Sequence, residues 1–474
     1  MIENMTDNNA LFIRGGRSCE VSFADRVLSS PLYLILLVIC CAVPYIFSAY
    51  AAGFWLCVFL LSLSLVLTRN IMPSFAAFLF CTVAVIEQYK ITYEEIFGYA
   101  GVLALVIPAL IYHIIRYRRG RRGYRPGRMF APQLAVSAAL LLGGLGSISA
   151  KEYFSLPSIY YMLFLGVVLL GIMVFMDCDM PADGEYAAKY LANTLIAVAA
   201  LFCVMWLIAF FKDGAQEFPY RQWKNNAGNF MLLAVPLTLW RGARSQRGVF
   251  YLLFAVLQCF VVFLSGSRGA TLMIGVTGLV SVAVYFVFVK NTARRAAEFA
   301  VLFALAVVAA AVVLSDGAAR LKEFIGEMDV FDGNGREELY YLGIRNILDY
   351  PLFGVGIGYR NDEVWKLNDM AIFWYHSTPV QIFASMGAVG GAAYLWQFIE
   401  RLKLALRRNH FSVAALLSFI GFEGYSCVNT GDFTPLPFGV LLAVMFIVLE
   451  RYNRDLPFIG KSMGERVDFM RGRY

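Results

Sequence analysis

Apolar runs of about 20 residues, separated by short polar segments, recur along almost the whole chain. Such a run is what a helix needs to cross the hydrocarbon layer of a bilayer. Taken in order, the runs predict fourteen helical spans, near 31–50, 53–68, 72–89, 96–115, 129–149, 156–176, 190–211, 227–240, 248–264, 269–289, 298–314, 377–398, 412–428 and 434–450. The expected fold class is an all-α polytopic membrane protein of about 12–14 transmembrane helices. The first 30 residues are polar and mixed, with no cleavable signal peptide apparent before Pro31 opens the first run. One long polar interruption, residues 315–375, separates the eleventh and twelfth runs and holds eleven acidic and six basic residues. Within it, "GREELYYLGIRNILDYP" reads as a short amphipathic helix stopped by Pro351, with Arg336, Tyr340, Gly343 and Ile347 on one face. The chain therefore divides into an N-terminal segment 1–30, spans over 31–314, a large loop 315–375, spans over 376–450 and a tail 451–474.

Composition removes the soluble alternatives: 60% of residues are hydrophobic and only 15% charged, far from a water-soluble domain of this length. The net charge of +7 raises the question of nucleic acid, and its distribution answers it. With the N-terminus inside, inner segments carry 28 of the 40 Lys and Arg, among them "RYRRGRRGYRPGR" at 116–128 and "RLKLALRR" at 401–408. That asymmetry is the positive-inside pattern, so the basic runs read as topology signals and lipid-headgroup contacts. It places residues 315–375 on the outer face. The nine cysteines lack metal-ligand or disulfide-framework spacing and read as small apolar helix residues.

Candidate chemistry concentrates on the outer side. Of three histidines, only His376 lies there, immediately before the twelfth span; His113 and His410 fall on the inner side. Ser377 suits an N-cap and Pro379 the first turn, so a helix should start here, its N-terminus favouring an anion and a neutral imidazole. A histidine that merely bonds to the loop is the plainer alternative. Arg268, in "LSGSRGATLMIG", stands between the ninth and tenth spans with almost no loop, where an unpaired cation is costly. Arg336 opens the amphipathic helix. Arg345 and Arg360 in the loop, and Arg221 and Lys224 in "FPYRQWKNNAGN", add further outer cations; several together suggest a phosphate-bearing partner. Asp432, Glu423 and Glu87 are carboxylates that could orient His376. Gly387 and Gly391 form a G-x-x-x-G pair, expected to allow close helix packing. "DCD" at 177–179 resembles the D-x-D of metal-dependent glycosyltransferases but falls on the inner side.

Two of these stretches together resemble the O-antigen ligase and polymerase family of bacterial inner-membrane glycosyltransferases. An R-x3-L element stands at Arg268 to Leu272, and an H-[NSR]-x9-G-x2-G element at His376, Ser377, Gly387 and Gly390, with the large outer loop between them. The resemblance covers roughly residues 220–450. It implies a metal-independent, cofactor-free transferase with a GT-C-like fold in the bacterial plasma membrane, its site on the outer face. The donor would be an undecaprenyl-diphosphate-linked glycan and the acceptor a sugar hydroxyl on another glycan or glycolipid. Carried over by motif position, Arg268 and Arg336 would hold the diphosphate and His376 would activate the acceptor, with inversion. Arg221, Lys224, Arg345, Arg360 and Asp432 are expected to assist substrate binding. Ligase is favoured by the spacing of the histidine element, and a surface-polysaccharide polymerase is the alternative. A lipid-linked glycan flippase is the rival from another class; it should show broken helices or charges near mid-membrane.

Overall fold

The computed structural model describes residues 23–47, 49–84, 100–118, 126–147, 161–213, 223–314, 336–357, 374–407, 409–429, 431–433 and 435–454, with residues 13–14, 17–18 and 159 besides. The described residues are all-α apart from a two-residue antiparallel pairing of Ile13–Arg14 with Arg17–Ser18. A short helix, α1 (Phe23–Leu28), leads into α2 (Pro31–Ile46), α3 (Tyr50–Leu67), α4 (Ile71–Ala84) and α5 (Ala100–Arg118). Then follow α6 (Phe130–Leu142), α7 (Leu169–Asp179, entered through a π-helical turn Leu163–Val168), α8 (Gly184–Asp213) and α9 (Trp223–Ala243). The second half consists of α10 (Gly248–Leu264), α11 (Arg268–Phe288), α12 (Thr292–Leu314), α13 (Arg336–Asp349), α14 (Thr378–Ala405), α15 (His410–Ser426) and α16 (Val440–Tyr452). Each of the fourteen apolar runs overlaps one of these helices. Four helical stretches, Gly101–Arg118, Gly184–Ala209, Arg268–Phe288 and Thr378–Ala405, are long and apolar enough to cross a membrane by length and composition.

The bundle is built around α9, which packs against α8, α10, α11 and α15. Residues 227–240 of α9 are buried without interruption, and a helix enclosed on all sides must be apolar all round. Thr238 is satisfied within the bundle: it donates to the Ala234 carbonyl at 2.8 Å and receives Gln258 of α10 at 3.0 Å. Peripheral helices instead present large apolar side chains outward, such as Phe299 and Phe303 on α12 and Leu103 and Ile115 on α5. In a membrane protein that surface meets lipid, not water.

The end of the bundle rich in Lys and Arg is tied by side chains. Asp179 accepts from Arg118 at 2.6 Å with His113 Nε2 at 3.4 Å, and Asp177 pairs with Arg451 at 3.0 Å. Arg451 also donates to the Met180 and Pro181 carbonyls, capping the end of α7. Arg294 donates to Glu298, Ser245 and Gly242, joining α12 to the α9–α10 turn. The basic segments were expected to serve as topology signals and headgroup contacts. Those described here also clamp helix ends, because guanidinium groups satisfy carbonyls that helix C-termini leave without partners.

The main departure from the expected helices lies in α14. At Gly387 the backbone leaves helical geometry (φ 58°, ψ −153°), which divides α14 into two pieces. Residues following α13 enter the break. Val355 and Gly356 N–H donate to the Ala384 and Ser385 carbonyls at 2.8 and 2.9 Å. In return, Ala388 and Val389 N–H donate to the Pro351 and Leu352 carbonyls at 2.8 and 3.2 Å. These four bonds stand in for helical bonds given up at the break, as buried peptide groups require. Two glycines make the insertion fit. A Cβ on Gly387 would stand 2.4 Å from Leu352 backbone carbon, and one on Gly354 (φ 67°) would stand 2.4 Å from that of Ser385. Gly387 is thus a backbone break, where the G-x-x-x-G reading expected a helix–helix contact. A Cβ on Gly391 would meet only the Phe383 ring of its own helix.

Candidate functional site

Four helix N-termini assemble at the opposite end of the bundle. In the second turn of α9, Gly228 lies so close to Ala270 of α11 that a Cβ there would stand 2.5 Å from the alanine methyl carbon. This approach brings Asn225 to the start of α11, where it accepts from Ser267 at 2.9 Å. Tyr425, near the end of α15 and buried, hydrogen bonds both: its hydroxyl lies 2.8 Å from Asn225 Oδ1 and 3.0 Å from Ser267 Oγ. Arg268 is the next residue and the first of α11. Arg336 opens α13 and donates to the Val428 carbonyl, just beyond α15, at 2.9 Å. Thr378, the first residue of α14, donates to the neighbouring Asn429 carbonyl at 3.5 Å. The N-termini of α9, α11, α13 and α14 are therefore joined through the end of α15. Each directs the positive end of its dipole towards this region, a setting that attracts anions.

His376 occupies the junction of α13 and α14. Tyr375, before it, is buried and fixed at both ends: its hydroxyl receives Asn346 of α13 at 2.7 Å, and its N–H donates to Gln381 Oε1 at 3.1 Å. After it, α14 begins, with Gln381 N–H bonded to the Ser377 carbonyl at 2.8 Å. Held between these anchors, His376 takes φ 51°, the one positive φ among the described non-glycine residues. Left-handed backbone in a residue with a Cβ persists only where its surroundings over-determine it, and such residues gather at working sites. Its Nδ1 is buried without a hydrogen-bond partner among the described residues. Burial, followed by the charge of Arg336, lowers its pKa from 6.5 to about 4, so the imidazole is neutral at pH 7. The neutral imidazole expected from sequence is thus present, with desolvation as its leading cause. Ser377 stands at the N-cap as expected, but its side chain makes no cap hydrogen bond.

The α13 face expected from sequence packs as expected. Tyr340 donates to the His376 carbonyl at 3.5 Å, Gly343 abuts Val380 and Tyr375, and Ile347 packs on the Tyr375–Ala384 cluster. The structure thus gathers Arg268, Arg336 and His376 at one end of the bundle. The remaining candidates are distributed differently. Arg345 is exposed and lies 3.8 Å from Asp349 on its own helix. Lys224 sits in the first turn of α9 and Asp432 in a 3-10 turn, Gly431–Phe433, but their side chains, like Arg221, Arg360 and Glu87, lie outside the described residues. Glu423 engages Arg401 at 3.3 Å and is not a partner of His376. His410 stacks on Phe288, ring centroids 3.8 Å apart, and His113 is buried with Nδ1 at 2.7 Å from the Leu65 carbonyl. Asp177 and Asp179 are held in the ion pairs at the basic end, and the described residues contain no cluster of metal-ligating side chains.

Sequence reasoning missed Asn225, Ser267, Tyr425 and Asn429, which tie the four helix ends together. It weighed charge, and these are neutral. The available signal was positional: each is a polar residue at the end of an apolar run, on the side of the chain that carries Arg268.

Residues 253–395, which include Arg268, Arg336 and His376, match the family model described as O-antigen ligase. The chain has no match among curated proteins.

Proposed function

We propose, from the O-antigen ligase domain of residues 253–395 as premise, that the chain transfers a glycan from an undecaprenyl-diphosphate carrier to a sugar acceptor. The transfer takes place at the outer face of the bacterial inner membrane, proceeds with inversion and needs no metal. The family matched over residues 253–395 is a ligase- and polymerase-type enzyme family, which supports this reading. The observation that supports the finer reading is that Arg268, Arg336 and His376 stand at helix starts tied through the end of α15, His376 with a neutral imidazole whose Nδ1 has no hydrogen-bond partner among the described residues.

Each part has a chemical use. A leaving diphosphate develops negative charge, and fixed guanidinium and peptide dipoles stabilise it best where water is scarce. Arg268 and Arg336 fill that role. The acceptor hydroxyl oxygen attacks the anomeric carbon from the side opposite the diphosphate, and its proton passes to His376. The bond from carbon to the phosphate oxygen breaks, and its electron pair leaves on the diphosphate. A resting pKa of about 4 is low for a general base at neutral pH. Donor binding corrects this: the diphosphate offsets the Arg336 charge that helps hold the imidazole neutral, so proton affinity rises when there is a substrate to activate. The break in α14 at Gly387 is a feature that the flippase alternative shares; against that alternative, the candidate cations gather at one end of the bundle. The Arg401–Glu423 pair, deeper in it, is already internally neutralised.

The test is reconstitution of the full chain in proteoliposomes with a lipid-diphosphate glycan and candidate acceptors. Wild type should transfer glycan, with and without EDTA, and His376→Ala and Arg268→Ala should insert normally and fail to transfer. Single additions identify a ligase, and progressive elongation a polymerase. Translocation of the lipid without glycosidic bond formation would overturn the enzyme reading.

A further inference from the structure

Asn225 has no assigned role, and its environment gives it one. Its Oδ1 lies within hydrogen-bond distance of the Ser267 and Tyr425 hydroxyls, at 2.9 and 2.8 Å. Tyr425 also hydrogen bonds the Asn429 side chain. Oδ1 is the atom that faces both hydroxyls, and an amide oxygen accepts from each. The Asn225 NH2 group is thereby turned the other way, with no partner among the described residues. It sits on a half-buried side chain in the first turn of α9, against the residue that precedes Arg268.

We propose that Asn225 is a donor-binding residue whose amide N–H groups bind a phosphate oxygen of the lipid diphosphate beside Arg268, with Tyr425 and Ser267 as the positioning residues that set its orientation. The inference rests on the glycan-transfer reading of the same site. Two observations select a phosphate oxygen over a neutral group. The amide presents only donors on that side, and the adjoining starts of α9 and α11 favour negative charge. Anchoring through two hydroxyls also leaves the amide little freedom to turn and offer its acceptor instead.

The test uses the full chain in proteoliposomes with the lipid-diphosphate glycan donor, and inorganic pyrophosphate as a competing inhibitor. Asn225→Asp keeps the shape and the acceptor oxygen but replaces the N–H groups with an anionic oxygen. Donor KM and the pyrophosphate inhibition constant should both rise by about 10- to 100-fold, the range of one hydrogen bond to a charged group. Acceptor KM and melting temperature should remain at wild-type values. Tyr425→Phe, which removes one anchor, should raise donor KM by a smaller factor with acceptor KM unchanged, a selectivity that a purely structural role for Tyr425 does not produce. Should Asn225→Asp fail to fold, Asn225→Ala is read the same way. An active wild type whose folded Asn225 variants keep wild-type donor KM overturns the proposal and leaves the transferase reading intact. An inactive wild type overturns the transferase reading itself.

Discussion

Replacing Gly387 with alanine sets two readings of α14 against each other. In an uninterrupted helix, Gly→Ala stabilises by about 1 kcal/mol because alanine loses less backbone freedom. The structure reverses the sign. Gly387 holds φ 58° and ψ −153°, a region open essentially to glycine, and forcing alanine into it costs about 1–3 kcal/mol. The new methyl would also lie 2.4 Å from the Leu352 carbon and oxygen and 2.7 Å from Phe353 N. Those atoms belong to a segment fixed by four backbone hydrogen bonds and cannot swing aside. Overpacking of that kind adds about 1–3 kcal/mol, for a total near 2–6 kcal/mol. Ejecting the segment does not escape the cost, since each bond surrendered is worth about 0.5–1.5 kcal/mol. Gly391→Ala is the control, because its methyl would meet only the movable Phe383 ring. Thermal unfolding in detergent should show Gly387→Ala melting several degrees below both wild type and Gly391→Ala, with transfer activity reduced because His376 opens the same helix. A Gly387→Ala protein that melts at or above the wild-type temperature would refute the broken helix.

Three further outcomes are expected. The kcat/KM of the wild-type enzyme should stay level as pH falls from 8 to 5.5 and decline only as the free enzyme's His376 protonates near pH 4; a half-loss near 6.5 would mean that the imidazole is ordinarily solvated. In Arg336→Gln the secondary cause of that depression is removed, so the acidic limb should move to higher pH, read from the same rate profile. Arg401 pairs with Glu423 and lies over Phe419 and Phe446; Arg401→Met should cost about 3–5 kcal/mol by leaving a largely buried carboxylate without its partner. The double variant with Glu423→Gln should recover most of the loss in a detergent melt.

Helix periodicity and run length made the bundle legible. Fourteen apolar runs became helices, and even the face of α13 carrying Tyr340, Gly343 and Ile347 packs as its spacing requires. The ionisable members of the candidate site were legible too, since Arg268, Arg336 and His376 stand out against apolar surroundings. Two features were not. The break in α14 depends on a segment about thirty residues earlier entering at Gly387, and no local pattern records a hydrogen bond over that separation. The tie among Asn225, Ser267 and Tyr425 joins residues up to 200 positions apart through neutral groups, whose short hydroxyls and amides look like ordinary helix-end residues until the fold brings them together.

Under the transferase reading, the starts of four helices add main-chain dipoles to the guanidinium groups that meet the diphosphate. Peptide dipoles carry no titratable proton, and substitution leaves them in place as long as the helix stands. Under the transferase reading, recognition of the carrier head is therefore insulated from acidity and from drift in the surrounding residues. The side chains at the rim remain free to diverge with the sugars they meet.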